Sequence, residues 1–325
     1  MAGANPELVK YTSAADSEFL YYGHCKCINN VPATPDGKPT PGIITRTALQ
    51  LADIPFLVVD AGAKIKPSIP HISFSVEPGE NIRNGAAVRF NDVKKLYDYG
   101  FTLGTQLAKT NDLVVVGESI AGGTTTALGV MMALGIDARF KISSSMPNNP
   151  HQLKNSVVSD AMERSKIHHG DLKEEPFKAI SLFGDPMMPS VAGIASGVVT
   201  SGRKVMLAGG TQMSAVAAIL NSLRLPSYNI SIGTTCYVAE DRFSNLVDLV
   251  NSISTEIPIY SCNLHLAESV KPGLQAFAKG YVKEGVGAGG TSIASMLKSK
   301  AKINGTVLLK AIEKEYETVV EKNSA

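Results

Sequence analysis

The chain has 325 residues, 18% of them charged, and a formal net charge of +2 at pH 7. Because there is also no basic stripe or RNA-binding aromatic signature, we expect no nucleic acid and no anionic membrane as a partner, and a small-molecule ligand instead. The longest apolar stretch, around residues 205–220, is too short and too polar to cross a bilayer. The first residues lack the basic and apolar regions of a secretion signal, so we expect a cytoplasmic protein.

The amino-terminal part differs in composition from the rest. Residues 30–42 contain four prolines and are predicted to form an extended linker after a small amino-terminal segment. We therefore divide the chain into a small segment with its linker, residues 1–45, and one α/β domain, residues 46–325.

The cysteines are unevenly spaced, which is not typical of a disulfide framework, and we expect reduced thiols at Cys25, Cys27, Cys236 and Cys262. His24 with Cys25 and Cys27, and Cys262 with His265, include ligands that zinc accepts, but the two groups lie far apart and neither has C-x-x-C spacing. The interpretation we favour is small buried residues near a strand end, with no metal.

From about residue 54, short β-branched runs alternate with helical patterns, which predicts an α/β fold with a mainly parallel sheet. Several of the runs are continuously apolar, as in strands covered on both faces. We predict strands at residues 56–60, 113–116, 179–183, 205–208, 230–233 and 257–261. We predict helices at residues 124–134, 152–166, 191–200, 214–223 and 266–279, and a last helix from an Asn304 cap to about residue 320.

Glycine and polar residues follow the predicted strands, where open α/β sheets place ligands. These pairs are Asp60 with Gly62, Gly117 with Glu118, Gly184 with Asp185, Gly209 with Gly210, and Gly233 with Thr234. Asp before Gly or Pro is also common turn chemistry, so Asp60 and Asp185 taken singly are weak signals. Residues 61–90 show neither helical nor strand periodicity, and we expect part of this long excursion to lie over the site.

The first glycine-rich segment, Gly117-Glu118-Ser119-Ile120-Ala121-Gly122-Gly123-Thr124-Thr125-Thr126, follows a predicted strand and enters a helix. It is not a Walker loop, because Gly123 replaces the lysine that reaches the terminal phosphates. Backbone N–H groups and threonine hydroxyls converge there, which favours a phosphate or carboxylate site. The alternative is a tight turn with capping threonines.

The second glycine-rich segment is Glu284-Gly285-Val286-Gly287-Ala288-Gly289-Gly290-Thr291. It satisfies G-x-G-x-x-G, so an NAD-dependent oxidoreductase is the obvious alternative, but a helix end rather than a buried strand precedes it. A carboxylate inside a phosphate cradle would repel the ligand. Glu118 and Glu284 therefore point to a role on the sugar or on the attacking group of a nucleotide.

Four segments in order resemble one family: Val58-Val59-Asp60-Ala61-Gly62, Arg83-Asn84-Gly85-Ala86-Ala87, and the two glycine-rich segments. The chain resembles nicotinate-nucleotide:dimethylbenzimidazole phosphoribosyltransferase, in the shorter form found chiefly in archaea, over roughly residues 54–300. G-E-x-x-x-G-x-T-T and E-G-x-G-A are its most specific motifs.

The resemblance implies a Rossmann-like α/β enzyme with helices on both faces of the sheet, usually a homodimer, that needs no cofactor or metal. Nicotinate leaves nicotinate mononucleotide and an aromatic base takes its place, giving an α-riboside 5′-phosphate for the lower ligand of cobamides. It implies Glu284 as the base that deprotonates the acceptor, and Glu118 as the support for the developing positive charge. From the strand ends, the motifs and the resemblance together, we predict these substrate-binding residues: Asp60, Gly117, Gly122, Gly123, Thr124, Thr125, Asp185, Gly209, Gly233, Thr234, Thr235, Gly285 and Gly287.

The chain departs from the family pattern at two loops. Gly184-Asp185-Pro186-Met187 stands where the bacterial enzymes have a Gly-Gly segment followed by glutamate, and Ala208-Gly209-Gly210 where they have Asp-Gly-Phe. The amino-terminal region that helps to hold dimethylbenzimidazole is also reduced. These departures leave the acceptor open among dimethylbenzimidazole, adenine and other purines or benzimidazoles, and they leave a non-catalytic nucleotide-binding protein as a further alternative.

Overall fold

The computed structural model describes residues 7–29, 31–33 and 38–321. Its strands are β1 (Val59–Asp60), β2 (Ile72–Ser73), β3 (Leu113–Gly117), β4 (Lys204–Ala208), β5 (Ile230–Thr235) and β6 (Ile259–Cys262). Its α-helices are α1 (Thr12–Tyr22), α2 (Gly42–Leu51), α3 (Phe90–Leu107), α4 (Gly123–Ala133), α5 (His151–Ser165), α6 (Pro176–Phe183), α7 (Met187–Thr200), α8 (Thr211–Ser222), α9 (Cys236–Ala239), α10 (Leu246–Ile253), α11 (Pro272–Ala278), α12 (Ala288–Lys298) and α13 (Gly305–Tyr316).

The main sheet has four parallel strands in the order β3-β4-β5-β6. Val116 pairs with Leu207, and Ile232 pairs with both Leu207 and Ile259. Consecutive parallel strands need crossover connections, and each connection here runs through helices. The predicted mainly parallel sheet is confirmed, and all its carboxyl ends lie at one edge.

Helices cover both faces of this sheet. Val205 and Leu207 of β4 belong to a large core with α4, α6, α7 and α8, whereas Cys262 and helix α12 belong to a second core with α2 and α13. A Cβ at Gly290 would lie 2.3 Å from the Cβ of Ala208, so glycine lets α12 approach the strand ends closely. The predicted Rossmann-like α/β fold with a small amino-terminal segment is confirmed.

The prediction of a strand at residues 179–183 is wrong, because this stretch is the end of α6. Ala179, Ile180 and Phe183 are all fully buried, at the spacing of one helical face, and Pro176 occupies the first turn, which a helix accepts. A short apolar run does not distinguish a strand from a buried helical turn. Gly184 and Asp185 therefore connect two helices instead of following a strand.

The predicted strand at residues 56–60 is too long and lies outside the main sheet. Only Val59–Asp60 forms a strand, paired in parallel with Ile72–Ser73 in a separate two-stranded sheet. Phe56 and Leu57 are 36% and 62% exposed, so the apolar run before this strand is not a core strand. Asp60 consequently does not share the sheet edge of the other strand ends.

Most predicted helices are confirmed to within a few residues at their ends, but a single helix at residues 266–279 is wrong. A 3₁₀ turn at Leu266–Glu268 and the helix α11 replace it. Pro272 cannot occupy a helix interior, since its ring would clash with the carbonyl four residues earlier, and it begins α11 instead. The Asn304 cap of α13 is confirmed, because its side chain accepts the N–H of Val307 at 3.0 Å.

Helix α2 crosses the predicted boundary between residues 45 and 46, and the division into two parts remains a prediction. It packs against α12 and α13, so the amino-terminal segment is attached to the second core. Among the described residues, no helix is long and apolar enough to span a membrane.

Candidate active site

A cavity of about 1150 Å³ opens where the loops after β3 and β4 meet the loop before α12. Its walls include segments from both halves of the chain. Residues 79–83, which belong to the predicted excursion, line one wall, and residues of α1 and the linker line another. The volume is slightly above the usual range of small-molecule sites, and the position at the sheet edge is typical of ligand sites in α/β proteins.

The glycine and threonine residues that begin α4 line this cavity. Gly122, the residue before α4, has φ +82°, a conformation that favours glycine. Gly122, Gly123, Thr124 and Thr125 all face the cavity. The first N–H groups of a helix have no partners within the helix, so this end can bind an anion through N–H groups and hydroxyls.

The two predicted glycine-rich segments touch each other. The N–H of Val286 donates to the carbonyl oxygen of Glu118 at 3.0 Å. A Cβ at Gly117 would lie 3.0 Å from the Cα of Gly287, which itself has φ +73°. Close backbone approach of this kind needs glycine on both sides. The carboxylates of Glu118 and Glu284 consequently line the same cavity.

Glu118 follows β3 directly and lies in the cavity wall. Burial raises the pKa of its carboxyl to about 8, and the negative charge of Asp185 adds to this increase. The amide of Gln212 acts in the opposite direction, since it stabilises the carboxylate. The carboxyl group is therefore mostly protonated at pH 7, and a bound cation would favour its ionised form.

Glu284 is held by the backbone on both of its oxygens. Oε2 accepts the N–H of Thr235 at 2.8 Å and the hydroxyl of Thr234 at 3.3 Å, and Oε1 accepts the N–H of Gly285 at 3.1 Å. The N–H of Gly289, in the first turn of α12, lies 3.2 Å from both oxygens. Burial raises the pKa of Glu284 to about 7, although these donors lower it.

A lysine that the sequence analysis did not single out also lines the cavity. Lys154 of α5 is 5% exposed, and its Nζ donates to the carbonyl oxygen of Ser143 at 2.5 Å. Burial, with a smaller contribution from the charge of Lys283, lowers its pKa to about 7. The ammonium has no carboxylate partner among the described contacts, so an anion entering the cavity would stabilise its charged form. A lysine in a helical pattern gives no local signal of this position.

Helix α1 contributes a second residue that sequence reasoning missed, Asp16. The Asp16 carboxylate lines the cavity, and it accepts the hydroxyl of Ser119 at 2.6 Å and the hydroxyl of Thr40 at 2.7 Å. Burial raises its pKa, although the two hydroxyls lower it. Ser119 is the residue after Glu118, so α1 is attached directly to the loop that carries Glu118.

Several predicted substrate-binding residues lie outside the cavity wall. Of the predicted set, Glu118, Glu284, Gly122, Gly123, Thr124, Thr125 and Gly285 line the cavity. Those that do not are Asp60, Gly117, Asp185, Gly209, Gly233, Thr234, Thr235 and Gly287.

These outer residues have identifiable contacts. The hydroxyl of Thr234 and the N–H of Thr235 donate to the carboxylate of Glu284. Asp185 accepts the hydroxyl of Thr126 at 2.5 Å and backbone N–H groups at the start of α7. Asp60 forms a turn with the N–H groups of Gly62 and Ala63 and pairs with Lys66 at 2.7 Å, so it is a turn residue within its own small sheet.

The cysteines have no arrangement that binds a metal. All four are free thiols, and burial raises the pKa of each. Among residues 7–29, 31–33 and 38–321, no group of three or more His, Cys, Asp and Glu side chains could hold a metal ion. The Sγ of Cys25 donates to the carbonyl oxygen of Ala15, and the carboxylate of Glu18 accepts the N–H groups of Lys26 and Cys27. These contacts fold the loop after α1.

Gly285–Gly290 does not have the surroundings of a dinucleotide fingerprint. That motif follows a strand directly, whereas here α11 and an irregular segment separate β6 from Gly285. The end of the segment forms the start of α12, and the Glu284 carboxylate accepts the N–H of Gly285 and the N–H of Gly289, in the first turn of that helix.

Comparisons with known proteins show the family of this chain. Residues 45–232 match the family model DBI_PRT, described as phosphoribosyltransferase. The UPF0284 protein of Methanothermobacter thermautotrophicus is 44% identical over 302 residues, 91% of this chain and 82% of that protein. The UPF0284 protein of Archaeoglobus fulgidus is 44% identical over 320 residues, 98% of this chain and 88% of that protein.

Two crystal structures share the fold. CobT from Thermus thermophilus matches with a TM-score of 0.59 and 16% identity, over 91% of this chain and 78% of that chain. A structure of nicotinate-nucleotide-dimethylbenzimidazole phosphoribosyltransferase from the same organism matches with a TM-score of 0.53 and 16% identity, over 80% of this chain and 72% of that chain. The chain therefore belongs to the phosphoribosyltransferase family that DBI_PRT describes and to the UPF0284 proteins, and it is a pentosyltransferase.

Proposed function

We propose that the protein transfers the phosphoribosyl group of nicotinate mononucleotide to an aromatic base. A ring nitrogen of the base forms a bond to C1′ as the bond from C1′ to the pyridinium nitrogen breaks. The electrons of that bond neutralise the pyridinium, and nicotinate leaves. The other ring N–H of the base loses its proton to a carboxylate, and attack from the opposite face gives an α-riboside 5′-phosphate.

The observation that carries this proposal is the presence of the Glu118 and Glu284 carboxylates in one cavity with the beginning of α4. A reaction of this kind is favoured by one carboxylate that stabilises an oxocarbenium-like centre and by another that accepts the proton of the nucleophile, the second role being that of the general base in inverting glycosidases. We assign the first role to Glu118, whose ionisation a cationic pyridinium ribotide would favour. We assign the second to Glu284.

The surroundings of Glu284 suit a base that works near neutral pH. Its pKa of about 7 allows it to be ionised before the reaction and to hold a proton afterwards. We place the transferred proton on Oε1, whose N–H contacts of 3.1 and 3.2 Å are longer than the 2.8 Å contact on Oε2. Weakening the longer contacts costs less when the oxygen becomes protonated.

The anionic groups of the donor substrate would bind at the start of α4. Gly122, Gly123, Thr124 and Thr125 offer N–H and hydroxyl donors, and Lys154 supplies a cation in the same cavity. Phosphate and carboxylate both fit this set of donors, because both accept several hydrogen bonds and negative charge is stabilised at a helix beginning.

The test is incubation with nicotinate mononucleotide and a panel of bases, with products identified by mass. We expect free nicotinate and an α-riboside phosphate only when a base is supplied. An NAD-dependent oxidoreductase would instead change the nicotinamide absorbance with an alcohol or keto substrate. A non-catalytic protein, which the departures at Met187 and Ala208 make a distinct alternative, would bind the nucleotide without releasing nicotinate.

The proposal extends to the setting of the enzyme. We place its product in cobamide lower-ligand assembly and expect a homodimer, as the resemblance implies, and the cytoplasmic location stays a prediction of the sequence. Light scattering after size-exclusion chromatography measures the mass in solution, and a monomeric mass would contradict the dimer.

A further inference from the structure

Helix α1 places one buried carboxylate, Asp16, in the wall of the cavity. Asp16 is 5% exposed, and its cavity wall also includes the apolar residues Leu8, Val9, Ala15 and Val31. A carboxylate is a costly group to bury unless hydrogen bonds or charges compensate it. Its hydrogen bonds therefore decide what it can do.

The hydrogen bonds of Asp16 leave acceptor capacity unused. Oδ1 accepts the hydroxyl of Thr40 and Oδ2 accepts the hydroxyl of Ser119. A carboxylate offers about four lone-pair sites, so each oxygen can accept a further donor. Because Asp16 lines the cavity, a donor on a ligand bound there is a candidate partner for those sites.

The position of Asp16 relative to Glu118 indicates which ligand this is. Ser119 follows Glu118 in the chain and donates its hydroxyl to Asp16 at 2.6 Å, so Asp16 lies beside the loop that carries Glu118. Helix α4, whose start we propose as the anion site, begins at Gly123, four residues after Ser119. If the sugar is held beside Glu118, the base that attacks it would place one edge of its ring next to the amino-terminal segment.

We propose, on the basis of the proposed function, that Asp16 is a specificity-determining residue for the acceptor and selects heterocycles that carry an N–H donor on their edge, such as an aminopurine. An amino group would donate to the free lone pairs of Asp16. The methyl groups of dimethylbenzimidazole would instead remove water from the carboxylate and replace it with no donor. Sites built around such a polar group reject analogues that lack the matching group strongly.

The experiment compares adenine and 5,6-dimethylbenzimidazole as acceptors for the full-length protein, with nicotinate mononucleotide as donor. For the unaltered protein we expect kcat/KM for adenine to exceed that for dimethylbenzimidazole by about tenfold or more. Asp16→Asn should reduce this ratio by about tenfold, since its amide nitrogen cannot accept a hydrogen bond. KM for nicotinate mononucleotide should change by less than about threefold in the same variant.

A second variant separates recognition from a structural role. Thr40→Val removes the hydroxyl that donates to Oδ1 and accepts the N–H of Gly42, with little change of shape, and it does not remove the carboxylate. We expect it to keep the adenine to dimethylbenzimidazole ratio within about twofold. The proposal is overturned if Thr40→Val changes the ratio as much as Asp16→Asn, or if Asp16→Asn leaves the ratio unchanged. It is also overturned if Asp16→Asn instead raises KM for the nucleotide, which would place Asp16 on the ribose.

These outcomes are distinct from a failure of the proposed function. If no base releases nicotinate, phosphoribosyl transfer itself is wrong. If bases release nicotinate but Asp16→Asn does not alter the preference among them, only the role of Asp16 is wrong.

Discussion

The Nζ of Lys283 lies 2.7 Å from Oδ2 of Asp241 in a buried ion pair. Lys283 directly precedes Glu284 in the chain. The two side chains are only 2% and 5% exposed. Nζ also donates to the carbonyl oxygen of Met146 and to Oδ1 of Asn149. Through these contacts Lys283 fixes the loop that carries Glu284 to the loop after residue 143, and both loops line the cavity.

Removing the ammonium of this pair should be strongly destabilising. Lys283→Met leaves the Asp241 carboxylate buried without its cation, and we expect a loss of about 3–5 kcal/mol in the free energy of unfolding. Arg203→Met is the matched control, because Arg203 and Asp112 are also 2.7 Å apart but 45% and 91% exposed, and it should cost less than about 1 kcal/mol. Urea denaturation measures both.

The ion pair of Lys283 and Asp241 should make the free energy of unfolding of the protein depend on pH in acid. Burial raises the pKa of Asp241, but the hydrogen bond from Lys283 and those from Phe243 and Asn149 outweigh burial and lower it overall. A lowered carboxyl pKa contributes stability above the unfolded value near 4, and that contribution is lost as the pH falls through the folded value. The difference between the unaltered protein and Lys283→Met should shrink in acid. A difference that is constant with pH would contradict this assignment.

Glu284→Gln should remove transfer activity. The amide cannot accept the proton of the base, and we expect kcat to fall by about 10²–10⁴-fold. The variant should also lose about 1–3 kcal/mol of stability, because the amide nitrogen faces the N–H groups that now donate to the carboxylate. Calorimetric binding of nicotinate mononucleotide is the control and should persist. Turnover close to that of the unaltered protein would rule out Glu284 as the base.

Glu118→Gln should stabilise the protein in alkaline solution while reducing activity. The pKa of Glu118 is raised to about 8 by burial, so between the unfolded value near 4.5 and pH 8 the folded state holds a proton that the unfolded state does not. Stability is then lost as the pH rises through this range. We expect the variant to gain about 2 kcal/mol at pH 9, less than the full shift because water in the cavity screens the charge.

Thermal unfolding at pH 5 and pH 9 tests this prediction for Glu118. At pH 5 the carboxyl is neutral in the folded protein, so the variant and the unaltered protein should differ little in Tm. An equal difference in Tm at both pH values would show that the charge of Glu118 is not the cause.

Lys154→Met should weaken binding of the anionic donor substrate. The loss of one charge-assisted contact corresponds to a rise in Kd for nicotinate mononucleotide of about 10–100-fold. Because the pKa of Lys154 is lowered to about 7, mainly by burial, the ammonium is lost as the pH rises above 7 and the affinity of the unaltered protein should fall. In Lys154→Met this part of the pH dependence should disappear.

The exposed Lys173 offers a control for that measurement. Lys173→Met removes the same charge outside the cavity wall and should leave Kd within about twofold. Equal losses in the two variants would attribute the effect to net charge. Parallel pH profiles in Lys154→Met and the unaltered protein would exclude titration of Lys154.

The sequence was sufficient for the features that depend on local pattern. Apolar and β-branched runs identified β3 to β6, and the run is continuous and buried in β4, because a strand covered on both faces needs apolar side chains on both. Asn304 identified the start of α13, since its side chain can satisfy an N–H group there. The same local patterns failed at residues 179–183, where a run of this length fits a strand and a helical turn equally well.

The sequence by itself determined which two segments are candidates for the site, because glycine is needed where backbones approach closely and a carboxylate there needs a role. Only the tertiary structure decided which other side chains lie in contact with these two segments. Asp16 reaches Ser119 across 103 positions of sequence, and Lys283 reaches Asp241 across 42. Contacts at such separations arise from the packing of α1 and of the loops around the sheet, and local periodicity carries no information about them.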